Sequence, residues 1–321
     1  MNLDVLPYST YTDHNRRPRR TADTPSVGGV TFFILLGMVF SMCLAACQGV
    51  TSDAAELSMR DESTQTHGPS PTSTTTIPTP TKTASPTKLA CAQQPGTVLR
   101  GQIADPSLPR YFPFRIYLPA CYNEDEGRPY PSLYALHGLA KDDSQWDMLG
   151  IDETADRMIA NGASPPFIIV MPLHATGIDI ETALVDVLVP YIDEHYHTNM
   201  DPDFRSIGGL SRGGGLALRI GLKNPDVFHS IGLHSPANVS SLPYLTNWVD
   251  QIPEEVQMHV WIDIGDRDPL LESTQLLITW LEELGLDPLT SINIGFHDSN
   301  YWTQHIESYL TWYIGTWPSG N

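Results

Sequence analysis

Ser211 lies in the run Arg205-Ser-Ile-Gly-Gly-Leu-Ser-Arg-Gly-Gly-Gly-Leu-Ala-Leu, at the centre of Gly209-Leu210-Ser211-Arg212-Gly213. A serine hydroxyl is a weak nucleophile until a neighbouring base takes its proton. G-x-S-x-G is the spacing that exposes such a hydroxyl, because a sharp strand-to-helix turn holds the serine in a strained conformation. Ile207 and its neighbours read as a strand, and Leu216-Ala-Leu-Arg-Ile reads as a helix. Side chains at Gly209 and Gly213 would collide across the turn. Gly214 and Gly215 let the helix approach the sheet. Free N–H groups at the helix N-terminus point toward negative charge developing beside Ser211. The blander reading is a glycine-rich turn with Ser211 as a helix N-cap. The chemistry that these residues suit is nucleophilic acyl transfer.

A nucleophilic serine needs a base, and the base needs an orienting acid, in the chain order Ser, acid, His. His297, in Ile294-Gly-Phe-His-Asp after the last strand, is the expected base. His305 is its competitor, but its place on the apolar face of the last helix suits a hydrogen-bonded core histidine. His229, His234 and His259 sit in or near strands and read as structural. The acid should follow the strand ending at Ile264-Gly265. Asp268 is favoured over Asp266, because a few loop residues are needed to turn a carboxylate back toward His297. Asp268 also precedes Pro269, so it can serve as a helix N-cap. The oxyanion hole needs two backbone donors. These are expected at Arg212, after the serine, and at Leu139 in Leu136-His137-Gly138-Leu139. His137 precedes Ser211 in the chain and is expected to brace that loop. Neither HExxH nor a P-loop occurs, so neither a metal nor a cofactor is expected.

These residues need a scaffold that brings them together. Candidate strands are 96–103, 112–118, 132–136, 167–171, 205–210, 229–233, 258–264 and 291–296. Helical spacing of apolar residues marks 181–195, 270–284 and 299–314. Alternating strands and helices imply crossover connections and a mostly parallel sheet. No helix separates the first two strands, so an antiparallel start is expected. Reactive loops should then gather at the carboxyl ends of the strands. Trp146, Tyr301 and Trp302 could line an aromatic cleft, although each suits packing better. Residues 236–257 are too few for a full cap domain, which leaves an open cleft.

The 321 residues carry 18 Lys and Arg against 37 Asp and Glu, a net charge of −19. That field repels polyanions and excludes nucleic acid as a partner. Residues 16–20 read Arg-Arg-Pro-Arg-Arg, and an uncharged apolar run follows from Val30 to Cys47. This is the order of a secretory signal, over residues 1–46. Leu44-Ala45-Ala46-Cys47 is similar to the bacterial lipobox, which implies lipidation at Cys47 and a membrane anchor. An uncleaved transmembrane helix is the alternative. Both readings place the rest of the chain outside the cytoplasm, in the first case as a lipoprotein of the bacterial cell envelope. In residues 68–88, 16 of 21 residues are Pro, Ser or Thr, so 47–90 reads as an extended, disordered tether. Residues 91–321 form the expected catalytic domain. Its only cysteines, Cys91 and Cys121, are an even pair in an oxidising compartment and are expected to form a disulfide.

Roughly residues 95–315 resemble the putative-esterase group of α/β-hydrolases. That group includes esterase D, feruloyl esterases, enterochelin esterases and mycolyltransferases. The likeness rests on Tyr117-Leu-Pro, Leu136-His-Gly-Leu, the elbow around Ser211, Asn224-Pro-Asp-Val-Phe, Gly265-Asp-Arg-Asp and Phe296-His-Asp with Tyr301-Trp302. It implies an α/β-hydrolase fold with a mostly parallel eight-stranded sheet and helices on both faces. It also implies Ser211 as nucleophile, His297 as base, Asp268 as acid, and oxyanion donors at Leu139 and Arg212. The activity implied is hydrolysis of an extracytoplasmic ester, carbohydrate- or phenolic-linked. Acyl transfer to a sugar or lipid hydroxyl, and a non-catalytic surface binding protein, are the alternatives. Two residues depart from the family pattern. Arg212 stands where Met or another apolar residue is common, and Phe296 where Gly is common.

Overall fold

The computed structural model describes residues 94–123, 127–174, 176–237 and 242–318. The signal, Cys47, the tether and Cys91 lie outside the described residues, so of the expected disulfide only Cys121 falls within them. Among the described residues no helix is long and apolar enough to cross a membrane.

Among the described residues, eight strands form one sheet. They are β1 (Thr97–Ile103), β2 (Phe112–Leu118), β3 (Ser132–Leu136), β4 (Ile168–Pro172), β5 (Arg205–Leu210), β6 (Ser230–His234), β7 (His259–Gly265) and β8 (Leu289–Asn293). The order across the sheet is β1-β2-β4-β3-β5-β6-β7-β8. β1 pairs antiparallel with β2, and β2 with β4. All later pairings are parallel. The antiparallel start follows from the short β1–β2 connection, which leaves no room for a crossover.

The helices are α1 (Gln145–Met148), α2 (Ile151–Ala160), α3, α4 (Arg212–Lys223), α5 (Leu245–Val249), α6 (Leu271–Glu283) and α7 (Ser299–Thr316). α3 runs from Ile180–Thr182 through a π-helical stretch, Ala183–Leu188, into Val189–His195. Its apolar spacing therefore reads as one helix, although the backbone is wider in the middle.

Two apolar cores lie on the two faces of the sheet. The alternation of strand side chains feeds both. Tyr134 and Leu136 of β3 join one core with Leu184 and Leu188 of α3, Leu218 of α4 and Leu277 of α6. Leu133 and Ala135 of the same strand join the other with Ala155 and Met158 of α2 and Ile306 and Leu310 of α7. Burial on both faces explains the near-continuous apolar runs of β4 and β7. β8 differs from its expected span. It ends at Asn293, because it is the sheet edge and its side chains are largely exposed. The residues Ile294–Phe296 thus belong to the loop that carries His297.

Candidate active site

The loops after β3, β5, β7 and β8 supply Leu139, Ser211, Asp268 and His297, all beyond the carboxyl ends of their strands. Ser211 follows β5 directly and occupies the N-cap position of α4, with φ 54° and ψ −116°. This lies outside the favoured regions for an L-residue, at a cost of about 1–3 kcal/mol. Three backbone bonds hold it there. Its N–H donates to the His234 carbonyl at 2.9 Å, and its carbonyl accepts from Ala237 at 2.9 Å and Gly215 at 3.1 Å. The glycines on either side are sterically required. A Cβ on Gly209 would lie 2.2 Å from the Gly213 carbonyl carbon, and one on Gly213 would lie 2.3 Å from the Leu136 carbonyl oxygen. Ala140, Ser211 and Ser235 are three of the four described non-glycine residues with positive φ. Strain of this kind gathers at functional sites.

The Ser211 side chain makes no capping bond. Its hydroxyl instead donates to Nε2 of His297 at 2.8 Å, and Nδ1–H of His297 donates to Oδ2 of Asp268 at 2.7 Å. The network therefore defines the tautomer, with the proton on Nδ1 and a lone pair facing the serine. The Asp268 side chain is buried, whereas the imidazole is partly exposed. The carboxylate's other oxygen accepts from the Leu270 N–H at 2.8 Å. Asp268 is not a helix N-cap, contrary to the expectation from Pro269. α6 starts two residues beyond the proline, with Leu270 at the cap.

The His297 loop is fastened at both ends. Asp266 accepts the Gly295 N–H at 3.0 Å, and the Arg267 N–H donates to the Gly295 carbonyl at 2.9 Å. The Gly295 N–H and the Arg267 guanidinium hold the Asp266 carboxyl below the usual carboxylate range. On the other side, Asp298 caps α7 by accepting the Tyr301 N–H at 2.9 Å. Trp302 stands edge-on to the imidazole, with ring centroids 5.2 Å apart. The Arg267 guanidinium lies 4.5 Å from the centroid of the exposed Phe296 ring.

Leu139 lies in the exposed turn after β3. Among the described residues, no acceptor takes its N–H or that of Arg212. The turn is braced from below. The Gly138 N–H donates to Gln145 Oε1 at 2.7 Å, and the Trp146 indole N–H donates to the Leu136 carbonyl at 3.0 Å. His137 stacks on His174 at 3.7 Å. The His174 N–H donates to His137 Nε2, and His174 Nε2–H donates to the His137 carbonyl. Burial lowers both imidazole pKa values, that of His174 to about 4, so both rings are neutral. His137 thus acts as a strut, and His305 is tied to the Tyr301 carbonyl through Nδ1. Trp146, Tyr301 and Trp302 are buried in packing rather than lining a cleft.

Sequence reasoning missed the group beneath the site. The fully buried Asp263 accepts from His234 Nδ1–H at 2.7 Å through one oxygen. Its other oxygen accepts from the Tyr301 and Tyr309 hydroxyls, at 2.9 and 3.0 Å. His234 in turn bonds the Tyr313 hydroxyl through Nε2 at 2.9 Å. One carboxylate therefore ties the strand that holds the Ser211 backbone to the helix that follows His297. A lone Asp within the apolar run Val260-Trp-Ile-Asp-Ile was the available signal.

The family model described as "Putative esterase" matches residues 106–309. This chain belongs to that esterase family. Over 174 residues it is 28% identical to an endo-1,4-beta-xylanase/feruloyl esterase of Xylanibacter ruminicola, covering 48% of this chain and 22% of the relative. It is 33% identical over 140 residues to an esterase of Mycobacterium tuberculosis, covering 39% and 29%. The chain thus spans less than a third of the length of either relative. A solved ferulic acid esterase shares the fold, with a TM-score of 0.63 and 22% identity over 70% of this chain and all of that one. Fold class and family agree with the expectation from the motifs around Ser211, Gly265 and His297.

Proposed function

We propose that this esterase-family chain is a serine carboxylic-ester hydrolase that acts through an acyl-enzyme at Ser211. The observation that carries the reading is the continuous hydrogen-bonded path from the Ser211 hydroxyl through His297 to the buried Asp268. Ser211 Oγ attacks the ester carbonyl carbon while His297 Nε2 takes its proton. Asp268 stabilises the imidazolium. The Leu139 and Arg212 N–H groups receive the oxyanion, each worth about 3 kcal/mol in such sites. Collapse breaks the bond to the alcohol, which leaves with the proton from Nε2. Water, deprotonated by the same nitrogen, then attacks the acyl carbon and frees Ser211 and the carboxylic acid.

The resemblance to feruloyl and ferulic acid esterases supports a phenolic, carbohydrate-linked ester as substrate. The basic segment, apolar run and lipobox-like Leu44-Ala-Ala-Cys47 support export and anchoring by lipid at Cys47, with 47–90 as tether and 91–321 as the catalytic domain. A Cys91–Cys121 disulfide would close the start of that domain. A panel of feruloyl, acetyl and longer acyl esters, assayed with and without added sugar or glycerol, tests the reaction. Release of free acid, with feruloyl esters favoured, is expected. Transfer of the acyl group to the added alcohol at low hydrolysis would instead make the chain an acyltransferase. No turnover of any ester would leave it a binding protein. Loss of membrane association in Cys47→Ala tests the anchor.

A further inference from the structure

A cavity of about 360 Å³ lies along the first two turns of α4, lined in part by Arg212, Leu216, Arg219, Ala237, Tyr244 and Trp248. Its wall begins one residue from the reacting group. Arg212 follows Ser211, and the Ala237 N–H donates to the Ser211 carbonyl at 2.9 Å. Arg212, Leu216 and Arg219 are spaced by four and three residues on α4, so both guanidinium groups rise from one helix face. Tyr244 and Trp248, which stack with centroids 6.0 Å apart and rings 19° from parallel, add aromatic side chains to the lining.

The charge of this wall is unusual for so acidic a chain, which carries −19 overall. Among the described residues, no carboxylate lies within ion-pair distance of Arg212. Arg219 reaches only Glu181, with Nε 3.5 Å from Oε2. That contact is an ion pair but not a hydrogen bond, and the buried Nε–H has no acceptor. Glu181 is shared, because its other oxygen binds Lys223. Among the described residues, no acceptor takes the terminal N–H groups of Arg219 or any side-chain N–H of Arg212, and such unmatched donors on cations favour arrival of an anion with oxygen lone pairs. Guanidinium groups suit carboxylates geometrically, and the aromatic part of the lining suits the carbon skeleton that bears one.

We propose that this cavity is an anion subsite, so that the preferred substrate is an ester carrying a free carboxylate on its acyl or alcohol part. Arg212 and Arg219 hold the carboxylate, and Tyr244 and Trp248 pack its skeleton. The proposal rests on the ester-hydrolase reading and narrows its substrate class. It also gives a role to Arg212, which departs from the apolar residue common in the family.

Paired esters test it. For the acyl side, 4-nitrophenyl hydrogen adipate is compared with its methyl ester. For the alcohol side, 4-acetoxybenzoate is compared with methyl 4-acetoxybenzoate. In each pair the kcat/KM ratio of anionic to neutral ester is measured in the wild type and in Arg219→Met and Arg212→Met, so each protein is its own control. The ratio for one pair is expected to fall by about tenfold or more in each variant, the scale of a lost charge-assisted hydrogen bond. The pair that responds identifies the side carrying the charge. Ratios unchanged in both pairs would overturn the subsite.

Binding separates this from failure of the catalytic reading. Calorimetry of the Ser211→Ala protein with monomethyl adipate and with 4-acetoxybenzoate needs no turnover. At least one is expected to bind, about tenfold more weakly when Arg219→Met is added. No binding of either, or binding indifferent to Arg219, would refute the subsite even in an active esterase. Arg219-dependent binding without hydrolysis of any ester would uphold the subsite and refute the hydrolase.

Discussion

Asp266 accepts the backbone N–H of Gly295 at 3.0 Å, so the first carboxylate after β7 holds the loop while Asp268, two residues on, holds the imidazole. The two acids are therefore expected to separate in kinetics. Asp268→Asn should lower kcat on a neutral ester by about 10³–10⁴, because the imidazole loses the carboxylate that fixes its tautomer. Asp266→Ala leaves the catalytic hydrogen bonds in place and should cost about tenfold, through looser placement of His297. Steady-state kinetics of both variants checks this. A larger loss in Asp266→Ala would make Asp266 the orienting acid.

The turn after Gly265 also marks where sequence stops being informative. Both carboxylates follow the same strand, and only loop length and the family's Gly265-Asp-Arg-Asp pattern favoured Asp268. What distinguishes them is backbone direction: the Asp268 N–H donates to the Gly265 carbonyl at 3.1 Å, and that of Asp266 to the Asn293 carbonyl at 2.7 Å. One turns inward to a buried place and the other remains at the surface. Ser211 was legible because sterics across the elbow permit little but glycine at 209 and 213. The central strands were legible because burial on both faces removes polar residues. β8 was misplaced because Ile292, Ile294 and Phe296 alternate like a strand, yet all three are exposed and the latter two lie in the loop. The π-helical stretch in α3 leaves apolar spacing nearly unchanged and so gives no sequence signal.

The Asp263 cluster is expected to dominate the stability of the site. Burial first, and the Asp263 charge second, raise the Tyr301 and Tyr309 pKa values, so both phenols remain donors. Asp263→Ala strands His234 and two hydroxyls in a dry interior. Breaking a buried pair of this kind costs about 3–5 kcal/mol. Denaturant unfolding should show a loss of that order, with a fall in activity among the molecules that stay folded.

The His137–His174 stack predicts an acid-side weakness. The ordinary imidazole value is 6.5, and burial lowers that of His174 to about 4. Between these values the unfolded chain binds a proton that the folded chain does not. The stability that the neutral ring permits is complete above about pH 6.5 and is lost as pH falls toward 4, by up to about 3 kcal/mol. His174→Gln keeps a donor for the His137 carbonyl and removes the titration. Its unfolding free energy should fall less steeply across that window, and an identical slope would refute the assignment.

Glycine replacements should sort by backbone clearance. An alanine at 213 meets the Leu136 carbonyl, which a strand holds fixed, whereas one at 315 in α7 meets nothing within 4 Å. Gly213→Ala should therefore cost about 3 kcal/mol or abolish activity by shifting the elbow. Gly315→Ala should change stability by less than about 1 kcal/mol, toward stabilisation. Thermal unfolding of the two variants compares them directly.

The most direct measurement is covalent labelling by an alkyl fluorophosphonate, read by intact-protein mass and peptide mapping. One phosphonyl group should attach, on Ser211, with loss of esterase activity in proportion. Ser211→Ala should take up none, and His297→Ala should react far more slowly. An unlabelled wild-type protein, or label on another residue while activity survives, would contradict a nucleophile at Ser211.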